Sequence, residues 1–217
     1  MQTSEVLSFL ETLYTPLVSD AMDKLGIKDR VLDRSIQSMF FDPHLKVAGV
    51  AYPCRVIPTN EYVEIDTLLE MVDSILQDSI VLVAADADID AALWGGMMSS
   101  RSKARGARGA VVNGGVRDIE QIANISFPVF GAYRSVKDIR TRGFMAEYNT
   151  KINIGGVEVS PGDIIFADIN GVISIPADEI DRVTGSLTEA LDHENRTMSG
   201  LGRGESAKDL YSVYKAF

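Results

Sequence analysis

The stretch AALWGGMMSSRSKARGARGAVVNGGVRD, from Ala91 to Asp118, decides the predicted architecture of this chain. A glycine pair, Gly95-Gly96, opens a short helix, and a second pair, Gly114-Gly115, follows a buried strand and leads to Arg117-Asp118. Both turns follow strands, so we expect them at the same edge of one sheet, where open α/β sheets bind ligands. A helix that starts after glycines presents unpaired N–H groups and lets a ligand approach closely. The first turn therefore predicts an oxyanion or carboxylate site.

The strands around this stretch predict a mixed α/β sheet. Three continuous apolar runs, at 79–86, 109–115 and 127–134, are typical of parallel strands covered on both faces, with helices between them. A β-branched and aromatic run at 47–58 is an earlier strand. Residues 151–176 alternate around glycine turns, which favours antiparallel strands.

Apolar periodicity predicts helices at both ends of the chain and between the strands. They cover 4–14, a second short helix with Ser19 or Asp20 near its start and Gly26 as its stop, 61–77, Met97–Arg105, 177–197, and a short C-terminal helix with Tyr211, Tyr214 and Phe217. No repeat or linker interrupts the pattern. We therefore predict one domain over 1–217 with helical extensions, whose exposed aromatic residues could pack on another subunit.

Composition narrows the function classes. The chain has 217 residues, 46% of them hydrophobic, and a formal net charge of −10, which argues against a general nucleic-acid binder. Its single cysteine, Cys54, excludes an intrachain disulfide. The N-terminal residues are acidic and no apolar run reaches the length of a membrane span, so we expect neither a secretory signal nor a membrane anchor. These features predict a cytoplasmic protein.

The second turn predicts a cation beside a carboxylate. Arg117, at a strand-to-helix junction, can grip a carboxylate bidentately, and Asp118 can ligate a hard divalent cation. The alternative is that Asp118 caps the following helix and Arg117 is a surface residue. The glycine turns match neither the dinucleotide-binding nor the P-loop fingerprint. Two histidines, His44 and His193, leave little for a zinc enzyme.

At these residues the sequence resembles the RraA-like proteins, which include 4-hydroxy-4-methyl-2-oxoglutarate aldolases. The resemblance rests on five segments: WGGMM (94–98), SKARG (102–106), GAVVNGGVRD (109–118), PGDIIFADINGVISIP (161–176) and, more weakly, TPLVSDAMD (15–23). It implies an α/β fold of the swivelling phosphohistidine-domain type (β/β/α), assembled as trimers or dimers of trimers with the site at the subunit interface. The aldolase members use Mg²⁺ or Mn²⁺ without a Schiff base. They release pyruvate from hydroxy-oxo acids, and many also decarboxylate oxaloacetate.

The resemblance also implies residue roles. Backbone amides of four residues would hold the pyruvyl carboxylate and carbonyl: Gly95, Gly96, Met97 and Met98. Arg117 would bind the same oxygens and stabilise a pyruvate enolate, and Asp118 would hold the metal ion. A glutamate from the neighbouring subunit's C-terminal helix contributes in the aldolases, and Glu194 is the best match in this sequence.

Two departures from the aldolase pattern bear on the substrate. The aldolases carry an acidic residue where this chain has Gly96, so one outer carboxylate of the metal site is missing. The segment 134–149 also replaces a short glycine-rich stretch. It carries Arg134, Lys137, Arg140 and Arg142, and these basic residues could bind a different acidic substrate.

The resemblance leaves two readings open and disfavours a third. The favoured one is a metal-dependent aldolase or decarboxylase acting on a small oxo acid. The alternative is a non-catalytic RraA-type regulator that binds an RNA-degrading endonuclease. The family's regulators lack the acidic residue that this chain has at Asp118. A phosphotransfer domain is disfavoured because neither His44 nor His193 lies in a glycine-rich phosphorylation loop.

Overall fold

The computed structural model describes residues 2–216, which form a mixed α/β fold with helices at both ends. The strands are β1 Gln37–Ser38, β2 Lys46–Pro58, β3 Ser79–Ala85, β4 Ala92–Trp94, β5 Gly109–Val116, β6 Val129–Arg134, β7 Gly143–Tyr148, β8 Ile152–Ile154, β9 Val157–Val159, β10 Ile164–Asp168 and β11 Gly171–Ile175. The helices are α1 Thr3–Leu10, α2 Thr15–Lys24, α3 Asp66–Ser74, α4 Gly96–Ala104, α5 Ile119–Asn124, α6 Ile180–Gly202 and α7 Ala207–Tyr214. A 3-10 turn, Ala177–Glu179, leads into α6.

Nine strands form one sheet in the order β1-β6-β5-β3-β2-β10-β11, with β4 also paired to β5 and β7 to β2. The pairs β2–β3, β3–β5, β4–β5 and β5–β6 are parallel. The pairs β1–β6, β2–β7, β2–β10 and β10–β11 are antiparallel, and β8 and β9 form a separate hairpin. The predicted mixed sheet, with its parallel middle and antiparallel C-terminal part, is confirmed.

The long strand β2 joins the parallel and antiparallel parts. One edge pairs with β3, and the other pairs first with β10 at Lys46–Val50 and then with β7 at Cys54–Pro58. Pro53 falls in the gap between these two antiparallel partners. A proline is tolerated there because no N–H donor is needed on that edge.

The sheet is buried on both faces, as the continuous apolar runs predict. In β3, Val81 and Val83 belong to one hydrophobic cluster, whereas Ile80 and Leu82 belong to another on the opposite face. A third cluster packs α1, α2 and α6 against β10 and β11. The terminal helices therefore cover the antiparallel part of the sheet and leave the carboxyl ends of β4 and β5 accessible.

The two glycine turns do meet at one edge. The short strand β4, which the sequence analysis did not anticipate, pairs in parallel with the end of β5, so that Trp94 lies opposite Val116. The amide of Arg117 then donates a hydrogen bond to the carbonyl of Trp94 at 3.0 Å. The ends of β4 and β5 are fixed side by side, and the residues that follow them must be neighbours.

Several predicted helix boundaries were wrong, among them the long helix α6, which spans Ile180–Gly202 rather than 177–197. Helix α1 ends at Leu10 rather than near 14, and α3 begins at Asp66 rather than at 61. Helix α2 begins at Thr15, so Ser19 and Asp20 lie inside it and not at its start. Pro16 occupies the first turn of α2, where a helix needs no N–H donor. The predicted stop at Gly26 is confirmed, and its φ of +80° suits glycine.

The start of α2 depends on a distant carboxylate. Asp168, at the end of β10, is only 3% exposed. It accepts hydrogen bonds from the Thr15 amide at 2.8 Å and from the Thr15 hydroxyl at 2.7 Å. It also accepts one from the amide of Asn170 at 2.8 Å. One buried carboxylate thus ties the N-terminal helices to the β10–β11 hairpin.

Two further features concern the termini and the basic segment. Residues 134–149 contain an unpredicted strand, β7, which pairs with β2. The predicted C-terminal helix is present as α7, with Tyr211 exposed, while Phe217 lies outside the described residues. Between residues 2 and 216, no helix is both long and apolar enough to cross a bilayer. That the tail packs on another subunit stays a prediction.

Asp168→Ala should lower the free energy of unfolding by about 3 kcal/mol, because it leaves the two buried hydrogen-bond donors of Thr15 unpaired. Urea unfolding at neutral pH measures the change. The control is Asp178→Ala, which removes an exposed carboxylate and should cost no more than about 0.5 kcal/mol. Equal effects of the two substitutions would contradict the capping role of Asp168.

Candidate functional site

The first glycine turn is held by a buried indole and a buried hydroxyl. Trp94, 1% exposed, donates from Nε1 to the Ser99 hydroxyl at 2.7 Å. Ser99 in turn donates from its hydroxyl and its amide to the carbonyl of Gly95, at 3.1 Å and 3.0 Å. The hydrogen bond from the Ser99 amide is the first intrahelical hydrogen bond of α4. The amides of Gly96, Met97 and Met98 come before it and point out of the helix end.

Asp118 caps this helix across the sheet edge. Its Oδ2 accepts a hydrogen bond from the amide of Gly96 at 3.0 Å. Its own backbone is left-handed, with a φ of 59°, a conformation that aspartate tolerates better than most residues. Asp118 is also the N-cap residue of α5, but its side chain makes no capping hydrogen bond there and accepts one from α4 instead.

Close neighbours surround the Cα atoms of both glycines of the first turn. A Cβ atom at Gly95 would lie 2.8 Å from Asp118 Oδ2 and 3.2 Å from Arg117 Cγ. A Cβ atom at Gly96 would lie 2.5 Å from Gln121 Oε1. The side chain of Gln121, which the sequence analysis did not single out, thus borders the space where the aldolases carry an acidic residue. An acidic residue at 96 would have to displace this flexible amide.

Arg117 lies between two aspartates and is about one-third exposed. Its Nη1 is 3.3 Å from Asp138 Oδ2, and its Nε is 3.7 Å from Asp118 Oδ2. Asp138 also accepts hydrogen bonds from Arg140 at 3.0 Å and 3.2 Å. These bonds from Arg140, joined by the one from Arg117, lower the pKa of Asp138 to about 2. Asp138 is therefore ionised at neutral pH and holds Arg117 in place.

A pocket of about 430 Å³ opens in front of these residues. The end of α4, Arg117 and Asp118 form one side, and α3 forms the opposite side. Five predicted site residues line it: Gly95, Met97, Met98, Arg117 and Asp118. Gly96 contributes its amide to Asp118 and is buried behind them. The structure therefore brings the predicted pyruvyl-binding set together.

The basic residues of the segment 134–149 do not form an open cationic patch. Lys137 pairs with Asp90, and Arg142 donates to the backbone carbonyl of Asp138. Arg140 faces the pocket but is paired with Asp138. Arg134 donates to the carbonyl of Met39 and lines a second concavity, which shares Arg117 and Asp118 with the first. Each basic side chain has an internal partner.

Glu194 lies elsewhere in the same chain. It lines a pocket between α2, α6 and α7 together with Tyr14 and Asp20. Burial and the hydrogen bond to Glu194 raise the pKa of Tyr14. His193 contacts Glu189 and Tyr214 rather than the pocket at Arg117. A contribution of Glu194 to a neighbouring subunit's site stays a prediction.

The RraA-like family profile, described as Aldolase/RraA, matches residues 15–174. The chain therefore belongs to the RraA-like family, which includes both aldolases and RraA proteins.

Individual relatives support this assignment. Protein DlpA of Legionella pneumophila is 28% identical over 198 residues, which make up 91% of this chain but only 32% of DlpA. A protein of Halalkalibacterium halodurans, named a candidate 4-hydroxy-4-methyl-2-oxoglutarate aldolase, is 27% identical over 82% of this chain and 80% of its own. RraAS2 of Streptomyces coelicolor, described as an unusual member of the RNase ES inhibitor RraA family, shares the fold. Its TM-score is 0.77 at 22% identity, over 92% of this chain and 96% of its own.

Carbon-13 NMR of the side-chain carboxyls should give Asp138 a pKa of about 2. Arg140→Gln should raise this pKa toward the ordinary value of about 3.9, because the main charged donor is lost. Since the pKa is lowered in the folded state, Asp138 stabilises the fold above its ordinary pKa. That contribution is lost as pH falls toward 2.

The matched control for this titration is Arg142→Gln, because Arg142 donates to the backbone carbonyl of Asp138 and not to its carboxylate. The pKa of Asp138 should change much less in this variant. A pKa near 4 in the unsubstituted protein would contradict the ion-pair geometry.

Proposed function

We propose that this protein is a divalent-metal-dependent carbon-carbon lyase that acts on 2-oxo acids through a pyruvate enolate. The reaction is aldol cleavage of hydroxy-oxo acids, decarboxylation of oxaloacetate, or both. The observation that carries the proposal is that Arg117 and Asp118 lie beside the open N-terminus of α4. The hydrogen bond from the Gly96 amide to Asp118 connects the two turns. Family membership supports it, because aldolases belong to the RraA-like family.

The substrate carboxylate binds at the end of α4 in this proposal. The amides of Met97 and Met98 precede the first intrahelical bond and carry the positive end of the helix dipole. Arg117 lies beside them, since its side chain passes within 3.2 Å of where a Cβ of Gly95 would be. A guanidinium and two helix amides together bind a planar oxyanion well.

Asp118 is the residue that fits a metal ion. Its bonds to Gly96 and Arg117 use Oδ2, so Oδ1 is the oxygen that a cation would contact. Within residues 2–216, no group of three or more His, Cys, Asp or Glu side chains is arranged to hold a metal. A single carboxylate suits Mg²⁺ or Mn²⁺, which keep several waters and take substrate oxygens as further ligands. When bound, such an ion supplies Lewis-acid polarisation of the 2-oxo group.

The chain's own residues stabilise the charge that bond cleavage creates. When the bond between carbons 3 and 4 of the substrate breaks, its electron pair stays on carbon 3 and is delocalised onto the oxygen of carbon 2. Arg117 and the amides of α4 are aimed at the place where this charge develops. The bonds of Trp94 to Ser99 and of Gly96 to Asp118 fix these donors before the substrate arrives. Little reorganisation is then needed during the reaction.

A non-catalytic regulator of an RNA-degrading endonuclease is the competing reading, since RraA proteins belong to the same family. The position of Asp118 favours the lyase. Its carboxylate lines the pocket and contacts Gly96 and Arg117, where a small ligand would reach it. A purified endonuclease that binds this protein tightly, in the absence of any lyase activity, would favour the regulator instead.

Pyruvate release from a panel of 2-oxo and 4-hydroxy-2-oxo acids should require Mn²⁺ or Mg²⁺ and stop in excess chelator. Asp118→Asn and Arg117→Ala should each reduce kcat/KM by about 100-fold or more, because each removes a preorganised charge from the site. A coupled lactate dehydrogenase assay measures the release of pyruvate.

The control is Arg182→Ala, which removes an exposed arginine on α6 that pairs with Glu179. It should leave kcat/KM unchanged. Full activity of Asp118→Asn, or activity in excess chelator, would overturn the proposed function.

A further inference from the structure

We infer that the pocket beside Arg117 takes a 2-oxo acid whose far end is an apolar chain, not a second carboxylate. This inference rests on the proposed function, because it concerns the half of the substrate that leaves when pyruvate is formed. It differs from what the resemblance to the dicarboxylate aldolases implies. Three features of the pocket carry it: the wall formed by α3, the opposite wall of methionines, and the pairing of the arginines.

The wall formed by α3 is aliphatic. Ile65, Leu68, Leu69 and Val72 follow one another at the spacing of a single helical face, and all four line the pocket. Val72 is buried in the core beside Met71, and Leu68 is partly buried against that core. Leu69 is 49% exposed, so core packing does not explain its apolar side chain. This face is available to an apolar ligand.

The opposite wall is also apolar and is adaptable. Met97 and Met98 project from the first turn of α4, and Ile139 and Leu93 close the sides. Met97 is 79% exposed, and the flexible thioether side chain of methionine can follow chains of different shape. The volume of about 430 Å³ exceeds what a pyruvyl group alone would fill, so the pocket has room for a longer chain.

The cations of the pocket are already neutralised. Three arginines line it, and three aspartates face them: Arg101, Arg117 and Arg140 with Asp73, Asp118 and Asp138. Arg101 is 2.7 Å from Asp73. Arg140 is held by Asp138 and also lies 6.0 Å from the ring centroid of Tyr62. Arg117 is also paired, with Asp118 and Asp138, but it adjoins the amides of α4, so the first carboxylate finds several donors together there.

A second carboxylate would therefore meet no unpaired cation among the described residues of this pocket. It would lose water against α3 and lie near aspartates, both of which are unfavourable. An alkyl chain at the same place would gain from leaving water. The paired charges and the aliphatic wall therefore both favour a 2-oxo acid with an apolar chain.

The favoured reaction is the cleavage of a 4-hydroxy-2-oxo acid with an apolar group on carbon 4. The bond between carbons 3 and 4 breaks, and its electron pair passes to the enolate of pyruvate. The hydroxyl on carbon 4 gives its proton to water and becomes the carbonyl of an apolar aldehyde or ketone. Carbon 3 takes a proton back from water, so no oxidant or further reactant is needed.

A binding experiment tests this inference independently of the proposed function. Titration calorimetry in the presence of Mn²⁺ compares pyruvate with 2-oxooctanoate and with 2-oxooctanedioate, two acids that differ only in a terminal methyl or carboxylate. We expect 2-oxooctanoate to bind about tenfold or more tightly than either of the others, because its chain is buried against α3. Pyruvate binding without this preference would overturn the inference and leave the proposed function standing. No binding by any of the three acids would overturn both.

A charge placed on the wall gives a second readout. Leu69→Arg adds a positive charge to this wall, one helical turn from Asp73, and it should shift the preference toward 2-oxooctanedioate. The matched control is Leu76→Arg, at a residue that is 56% exposed and lies outside the pocket. It should keep the preference for 2-oxooctanoate. The same shift in both variants would contradict a role for the α3 wall.

Discussion

The hydrogen bond from the amide of Gly96 to Asp118 is the contact on which the site depends. It joins the start of α4 to the residue that follows β5, two points 22 positions apart in the chain. It fixes Asp118 at the positive end of a helix, where a carboxylate is stabilised by the dipole and by free amides. The proposed binding of an oxo acid and a metal ion uses this arrangement directly.

The surrounding residues make that contact possible. Gly95 and Gly96 have no side chains, and a Cβ at either position would meet a neighbour within 3.0 Å. The short strand β4 holds Trp94 opposite Val116, so the two turns cannot drift apart. Asp138 completes the set by pairing with Arg117 from a third segment. The site is thus built from β4, β5 and the loop after β6, while α3 supplies the wall that shapes the substrate.

The local parts of this arrangement could be predicted from the sequence, whereas the long-range parts could not. Continuous apolar runs and paired glycines are local signals, and they located the parallel strands and the turns at Gly95 and Arg117. Strand β7 and the role of Asp138 depend on pairing between distant segments, which no periodicity within 134–149 reveals. The true start of α2 likewise depends on Asp168, 153 residues from Thr15.

The most direct measurement is a crystal structure of the protein with Mn²⁺ and oxalate, a stable stand-in for the enolate of pyruvate. We expect an anomalous manganese peak at bonding distance from the carboxylate of Asp118. Oxalate should lie between that peak, the guanidinium of Arg117 and the amides of Met97 and Met98. Manganese and oxalate bound together at another place, with Asp118 still holding only Gly96 and Arg117, would contradict the proposed site.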